Sequence, residues 1–97
     1  MRLLIVEDNE KLRPALKSGL EATGDAQVVH DTPTGEDALE FCLAGPPDVI
    51  LMDVQLAGAM NGIETAVAIR REFLRLPVVF YSIQDDDEYY SAFRRSS

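Results

Sequence analysis

Asp48-Val49-Ile50-Leu51-Met52-Asp53 places four consecutive large apolar residues between two carboxylates. Such a run has no polar face, so it reads as a strand buried on both sides, the pattern of a parallel sheet covered by helices. Gly45-Pro46-Pro47 stops the segment before it, and the loop from Val54 to Asn61 that follows carries a glycine where backbone must turn. Arg2 to Val6 and Pro77 to Ser82 share its character, and Gln27 to His30 reads as a shorter strand. Segments of helical period lie between these runs. Asn9 to Ala22 repeats Leu12, Leu16 and Leu20 at every fourth position, with Gly24 as the cap beyond it. Pro14 requires that this helix start later or bend. Thr34 and Asp37 form a capping pair for a helix to Ala44. Gly62 to Phe73 is a third helix, with Ile63, Ala66, Val67 and Ile69 or Phe73 inward. Asp85 to Arg95 is a fourth, whose acidic first turn and basic last turn both complement the helix dipole. Strands alternating with helices through right-handed crossovers give an α/β fold, a doubly wound open parallel sheet of four strands and four helices.

The 97 residues are expected to form one domain, 1–97, which excludes a two-domain enzyme. With 46% apolar and 27% charged residues the composition is that of a globular protein with a real core. A net charge of -8 repels nucleic acid and anionic lipid, so direct DNA binding by this segment is not expected. The one cysteine, Cys42, forbids an internal disulfide and a multi-thiolate zinc site. No apolar run approaches the length of a membrane span, and the first residues have no secretory cleavage site. These features predict a cytoplasmic protein beginning at its native start.

In doubly wound sheets ligands bind at the carboxyl ends of strands where the winding reverses. Glu7 and Asp8 follow the first strand, and Asp53 ends the third. Packed together, such acids repel, and a small hard divalent cation such as Mg²⁺ relieves them. Glu7 and Asp8 also suit the simpler role of capping the next helix. Asp53 has no helix to cap, because the next one begins only near Gly62. Ser82 ends the fourth strand and offers a hydroxyl at the same edge. His30, the only histidine, is expected to be exposed or packed at the end of the second strand with no titratable partner, and Tyr89, Tyr90 and Phe93 to serve helix packing.

Taken together, the Glu7-Asp8-Asn9 turn after Leu3-Leu4-Ile5-Val6, the run ending at Asp53, Met60-Asn61-Gly62-Ile63-Glu64, and Pro77-Val78-Val79-Phe80-Tyr81-Ser82 resemble the receiver domain of bacterial two-component response regulators. The order of these motifs and their spacings, 45 residues from Asp8 to Asp53 and 29 from Asp53 to Ser82, carry the resemblance, which runs from Met1 to about Arg95. It implies a flavodoxin-like fold and a phosphoacceptor rather than an enzyme. Asp53 would take a phosphoryl group from the phosphohistidine of a sensor histidine kinase or phosphotransfer protein, as a carboxylate nucleophile. Asp8 would hold Mg²⁺ directly and Glu7 through its water shell, with Asp53 and the backbone carbonyl of Gln55 completing the protein ligands. Ser82 would bond a phosphoryl oxygen.

The sequence departs from the family in several places. Ala57-Gly58 replaces the usual Pro-Gly, Ala59 resembles a one-residue insertion, Ile83 stands beside Ser82 where a small residue is common, and Gln84 follows with a side-chain amide near the site. The fifth strand, with its phosphate-pairing lysine, and the fifth helix are expected to be missing. Neither Lys11 nor Lys17 matches that lysine. The fourth strand is then an edge on which Val78, Val79 and Phe80 can pair with a second copy, by dimerisation or strand exchange. The competing reading is a pseudo-receiver that binds a partner without chemistry, which has no need to keep Glu7, Asp8 and Asp53 facing one another. An aspartyl phosphohydrolase would need an acid where Gln55 stands, and neither a P-loop nor a Gly-x-Gly-x-x-Gly turn occurs.

Overall fold

The structure, a computed structural model, describes residues 1–56 and 58–82. In chain order these form β1 (Arg2–Val6), α1 (Leu12–Glu21), β2 (Gln27–Thr32), α2 (Gly35–Ala44), β3 (Val49–Asp53), α3 (Gly62–Glu72) and β4 (Val78–Tyr81). The helix expected over 85–95, with Tyr89, Tyr90 and Phe93, lies outside the described residues, as do Ile83 and Gln84. All strand pairs are parallel and the sheet order is β2-β1-β3-β4. The chain winds outward from β1 to β2 on one side and through β3 to β4 on the other. The reversal therefore falls between β1 and β3, the position at which such sheets bind ligands.

Alternation along the strands sends side chains to two faces. Leu4, Val6, Ile50 and Met52 join Ala38, Cys42, Leu56, Ile69 and Leu76 under α2 and α3. Leu3, Ile5 and Val28 face the other way, packed by half-buried Leu16 and Leu20 of α1 together with Ala26, Val49 and Leu51. Among the described residues β4 is outermost, and its Val79 and Phe80 are exposed.

Most of the expected elements form, with shifted boundaries. The first helix starts at Leu12, not Asn9, because the Asn9 side-chain oxygen accepts hydrogen bonds from the Lys11 and Leu12 N–H groups and turns the chain first. Pro14 then falls in the first turn, where no intrahelical donor is lost, so no bend is needed. Gly24, at φ +81°, supplies the left-handed turn after the helix. β2 runs to Thr32, two residues past His30, since Asp31 and Thr32 still pair with Ile5 and Val6. His30 is thus inside the strand and has a titratable partner: its ring stacks on Phe41 at 4.6 Å and its Nε2 lies 2.8 Å from Asp37 Oδ2. That hydrogen bond is the main cause of the lowered pKa of Asp37. It also leaves only half of the expected capping box, the Asp37 N–H donating to Thr34 Oγ1 at 3.2 Å.

The third helix has a full capping box between Asn61 and Glu64, a signal the reading of the sequence passed over. Its buried face is only partly the one expected, since Ala66 and Ile69 are buried as expected. Ile63 and Val67 are each 47% exposed, while Thr65 is fully buried. Thr65 satisfies its hydroxyl on the Asn61 carbonyl at 2.8 Å and packs directly against Gly35, where any side chain would collide with it. The glycine at the start of α2 lets the two helices approach, and that rotation turns Ile63 and Val67 outward.

Candidate functional site

The ends of β1 and β3 deliver the acids. Val6 pairs with Met52, so Glu7 and Asp53 emerge side by side one residue later. Three carboxylates, those of Glu7, Asp8 and Asp53, each place an oxygen within 4.8 Å of the other two. Glu7 is 2% exposed and Asp53 8%, and Asp8 is half-buried.

Glu7 and Asp53 are held by backbone built into the sheet edge. The Glu7 N–H donates to the Thr32 carbonyl at 2.9 Å, continuing the β1–β2 ladder by one residue. Arg13 braces the turn from α1: Nη1 donates to the Glu7 carbonyl at 2.8 Å, and its other nitrogens pair with Glu10 and Asp31. Lys17 also turns to Asp31, at 3.8 Å. On the side chain of Glu7, Oε2 accepts from the Asn9 N–H at 2.9 Å and Oε1 from the Tyr81 hydroxyl at 2.7 Å. Asp53 Oδ1 accepts from the Gln55 N–H at 3.0 Å, which folds the Gln55 peptide back onto the cluster. Gly62, opening α3, donates its N–H to the Val54 carbonyl at 3.1 Å and lies directly against the Asp53 carbonyl, where a Cβ would collide with it. Farther along the loop, the Met60 N–H donates to Glu36 Oε1 of α2 at 3.0 Å.

The electrostatics follow from this packing. Burial, and then the neighbouring charges of Glu7 and Asp8, push the Asp53 carboxyl up to about 6, against the opposing pull of the Gln55 N–H. Burial and the bond to Glu7 hold the Tyr81 phenol above the ordinary tyrosine range, so it stays a hydrogen-bond donor. A compact set of hard oxygen donors with excess negative charge fits a small divalent cation, and the donor set contains no soft ligand that would favour a transition metal.

The structure therefore brings together Glu7, Asp8, Asp53 and the Gln55 backbone. Ser82 is exposed just beyond the end of β4, and from the strand itself the Tyr81 hydroxyl reaches Glu7. Reading the sequence missed Tyr81, and also Arg13 as the brace of the acid turn. At the start of α1 it is Asn9 that supplies side-chain bonds to the Lys11 and Leu12 N–H groups, while the Glu7 side chain accepts from the Asn9 N–H.

Among the described residues, no helix is long and apolar enough to cross a membrane. Comparison with known proteins is consistent along the chain. Residues 3–95 match the family model described as the response regulator receiver domain. The transcriptional regulatory protein LiaR of Bacillus subtilis is 38% identical over 92 residues, covering 93% of this chain and 43% of LiaR. The nitrate/nitrite response regulator protein NarL of Escherichia coli is 31% identical over 86 residues, covering 89% of this chain and 39% of NarL. The chain thus spans less than half the length of these relatives. Among solved structures, the signal receiver domain of the putative response regulator NarL from Mycobacterium tuberculosis superposes with a TM-score of 0.77 at 30% identity, covering 97% of this chain and 76% of that one. Sheet order, acid cluster and family match agree, and the chain belongs to the response regulator receiver domain family.

Proposed function

We propose that the chain is a cytoplasmic phosphoacceptor switch that takes a phosphoryl group onto Asp53 from the phosphohistidine of a sensor histidine kinase or phosphotransfer protein. The observation that carries this reading is the gathering of three carboxylates, two of them buried, within 4.8 Å of one another at the point where the winding of the sheet reverses. A module that only bound a partner would gain nothing from holding like charges in this way.

Asp53 is the nucleophile, and the reaction is acyl phosphate formation. An Asp53 carboxylate oxygen forms the new O–P bond as the donor P–N bond breaks, and the leaving imidazole keeps the electron pair. Asp8, Asp53 and the Gln55 carbonyl would hold Mg²⁺, with Glu7 acting through its water shell. When bound, the ion offsets the charge of both the acids and the incoming phosphate. The hydrogen bond from the Gln55 N–H orients Asp53 Oδ1, and Gly62 fixes the backbone behind it. Phosphoryl transfer proceeds through a loose transition state, so positioning and charge stabilisation supply most of the rate. The domain is consumed and regenerated as an acceptor rather than turning over substrate as an enzyme.

Incubation with acetyl phosphate and Mg²⁺, followed by intact mass, is expected to add one phosphoryl group to the wild type and none to Asp53→Asn. Equal labelling of the two proteins would overturn the assignment of the acceptor.

A further inference from the structure

Asp8 sits between two anchored peptides. The peptide that joins it to Asn9 is held through its N–H, which donates to Glu7 Oε2 at 2.9 Å. The peptide that joins it to Glu7 is held through its carbonyl, which accepts from Arg13 Nη1 at 2.8 Å. One residue earlier, the Glu7 N–H donates to the Thr32 carbonyl of β2. Successive peptides from Val6 to Asn9 are thus pinned, and the middle one is pinned by a side chain from α1. Planar peptides leave only φ and ψ free, so pinning both neighbours fixes the direction in which the Asp8 side chain leaves the backbone.

The rest of Arg13 is anchored away from the acids. Its own N–H donates to the Asn9 carbonyl at 3.0 Å, closing the first turn of α1. Nε pairs with Asp31 at 3.2 Å and Nη2 with Glu10 at 3.1 Å, and the side chain is only 13% exposed. Asp31 pairs with Ile5 in the β1–β2 ladder, so the guanidinium ties the acid turn to the rigid sheet. A planar fork meets these three acceptors in three fixed directions, which an ammonium does not reproduce.

We infer that Arg13 is a positioning residue for the divalent cation, holding the Glu7–Asp8 peptide so that the Asp8 carboxylate stays within reach of Asp53. The inference rests on the reading of the cluster as a cation-assisted acceptor site. Two effects of opposite sign compete. As a charge, Arg13 repels a cation at the cluster, and its removal would tighten Mg²⁺ binding. As a brace it keeps Asp8 in place, and its removal would loosen binding. Asp31 and Glu10 offset the charge locally, which leaves the brace as the larger effect. Groups that orient a ligand without touching the metal are commonly worth about ten- to hundredfold in affinity.

The test compares wild type, Arg13→Lys and Arg13→Ala, with Ile69→Ala as a control destabilised in the core under α3. Titration calorimetry with MgCl₂ alone reads affinity without chemistry. Acetyl phosphate labelling across a Mg²⁺ series separates the concentration giving half-maximal rate from the rate at saturation. Both Arg13 variants are expected to bind Mg²⁺ about tenfold more weakly and to need correspondingly more of it for half-maximal labelling, while the saturated rate stays close to wild type. Arg13→Lys keeps the charge, so its failure to restore affinity separates the fork from the charge. Ile69→Ala should bind Mg²⁺ as wild type does, which separates lost position from general loosening. Unchanged or tighter Mg²⁺ binding by Arg13→Ala overturns the inference, as does wild-type affinity in Arg13→Lys or a matching loss in Ile69→Ala. If Arg13→Ala does not fold, Arg13→Lys decides the question alone. A wild type that binds Mg²⁺ but takes no phosphoryl group overturns the acceptor reading, while the calorimetric comparison still decides the role of Arg13. A wild type that binds no Mg²⁺ overturns both.

Discussion

The body of the sheet and its carboxyl edge are built from the same strands on opposite terms. In the body, Leu4, Val6, Ile50, Met52 and Ile69 are fully buried among apolar neighbours, and each such side chain stabilises the fold by about 1.5–3 kcal/mol. One residue beyond Val6 and Met52, the same strands carry Glu7 and Asp53 into nearly equal burial, but as like charges. The body gains from burial what the edge loses to repulsion and desolvation. Rigid strands can hold acids together because the residues preceding them leave the strands no freedom to separate.

Breaking the body should cost stability and spare the chemistry. Ile69→Ala removes a fully buried side chain from the α3 face and is expected to cost about 3 kcal/mol in urea unfolding, with labelling of the still-folded protein unchanged. A labelling rate that falls with Ile69→Ala would show that body and edge are not separable.

Breaking the joint between them should cost less stability and more chemistry. A Cβ at Gly62 would strike the Asp53 carbonyl, so the backbone of the acceptor has to move. Gly62→Ala is expected to destabilise by about 1–3 kcal/mol, and unlike Ile69→Ala to slow labelling at Asp53. Wild-type labelling in that variant would mean that the backbone contact does not position the acceptor.

The same division explains what was legible in the sequence. Arg2–Val6 was readable to the residue because continuous apolar runs have few alternative placements in this fold. The acids at the carboxyl ends followed from the winding rule, and three of them meet as expected. Asn9 and Pro14 left the start of α1 open because either a bend or a later start satisfies proline. The side-chain bonds of Asn9 decide it. The inward face of α3 was read correctly at Ala66 and Ile69 but not at Ile63 and Val67, because apolar residues were preferred while Thr65 packs against Gly35. The most consequential miss, Tyr81, has a simple cause. Val78-Val79-Phe80-Tyr81 has no polar alternation, so nothing in the run shows which residues share a face with Asp53. Only the pairing register does.

The central claim is that the edge is a strained set of acids that a divalent cation relieves. Burial raises Asp53 from its ordinary 3.8 to about 6, so the folded protein prefers the protonated acid. Without divalent ions, stability is therefore fully present below about pH 4 as far as this group is concerned, and is lost as pH rises through about 6. A shift of roughly two units at about 1.4 kcal/mol each bounds that loss at roughly 3 kcal/mol. The measurement is urea unfolding of wild type and Asp53→Asn at neutral pH, in EDTA and again in Mg²⁺. The account predicts that Asp53→Asn is the more stable protein in EDTA, by about 1–3 kcal/mol, and that Mg²⁺ stabilises wild type selectively and narrows or reverses the order. A wild type that is the more stable protein in EDTA and gains nothing from Mg²⁺ would contradict it.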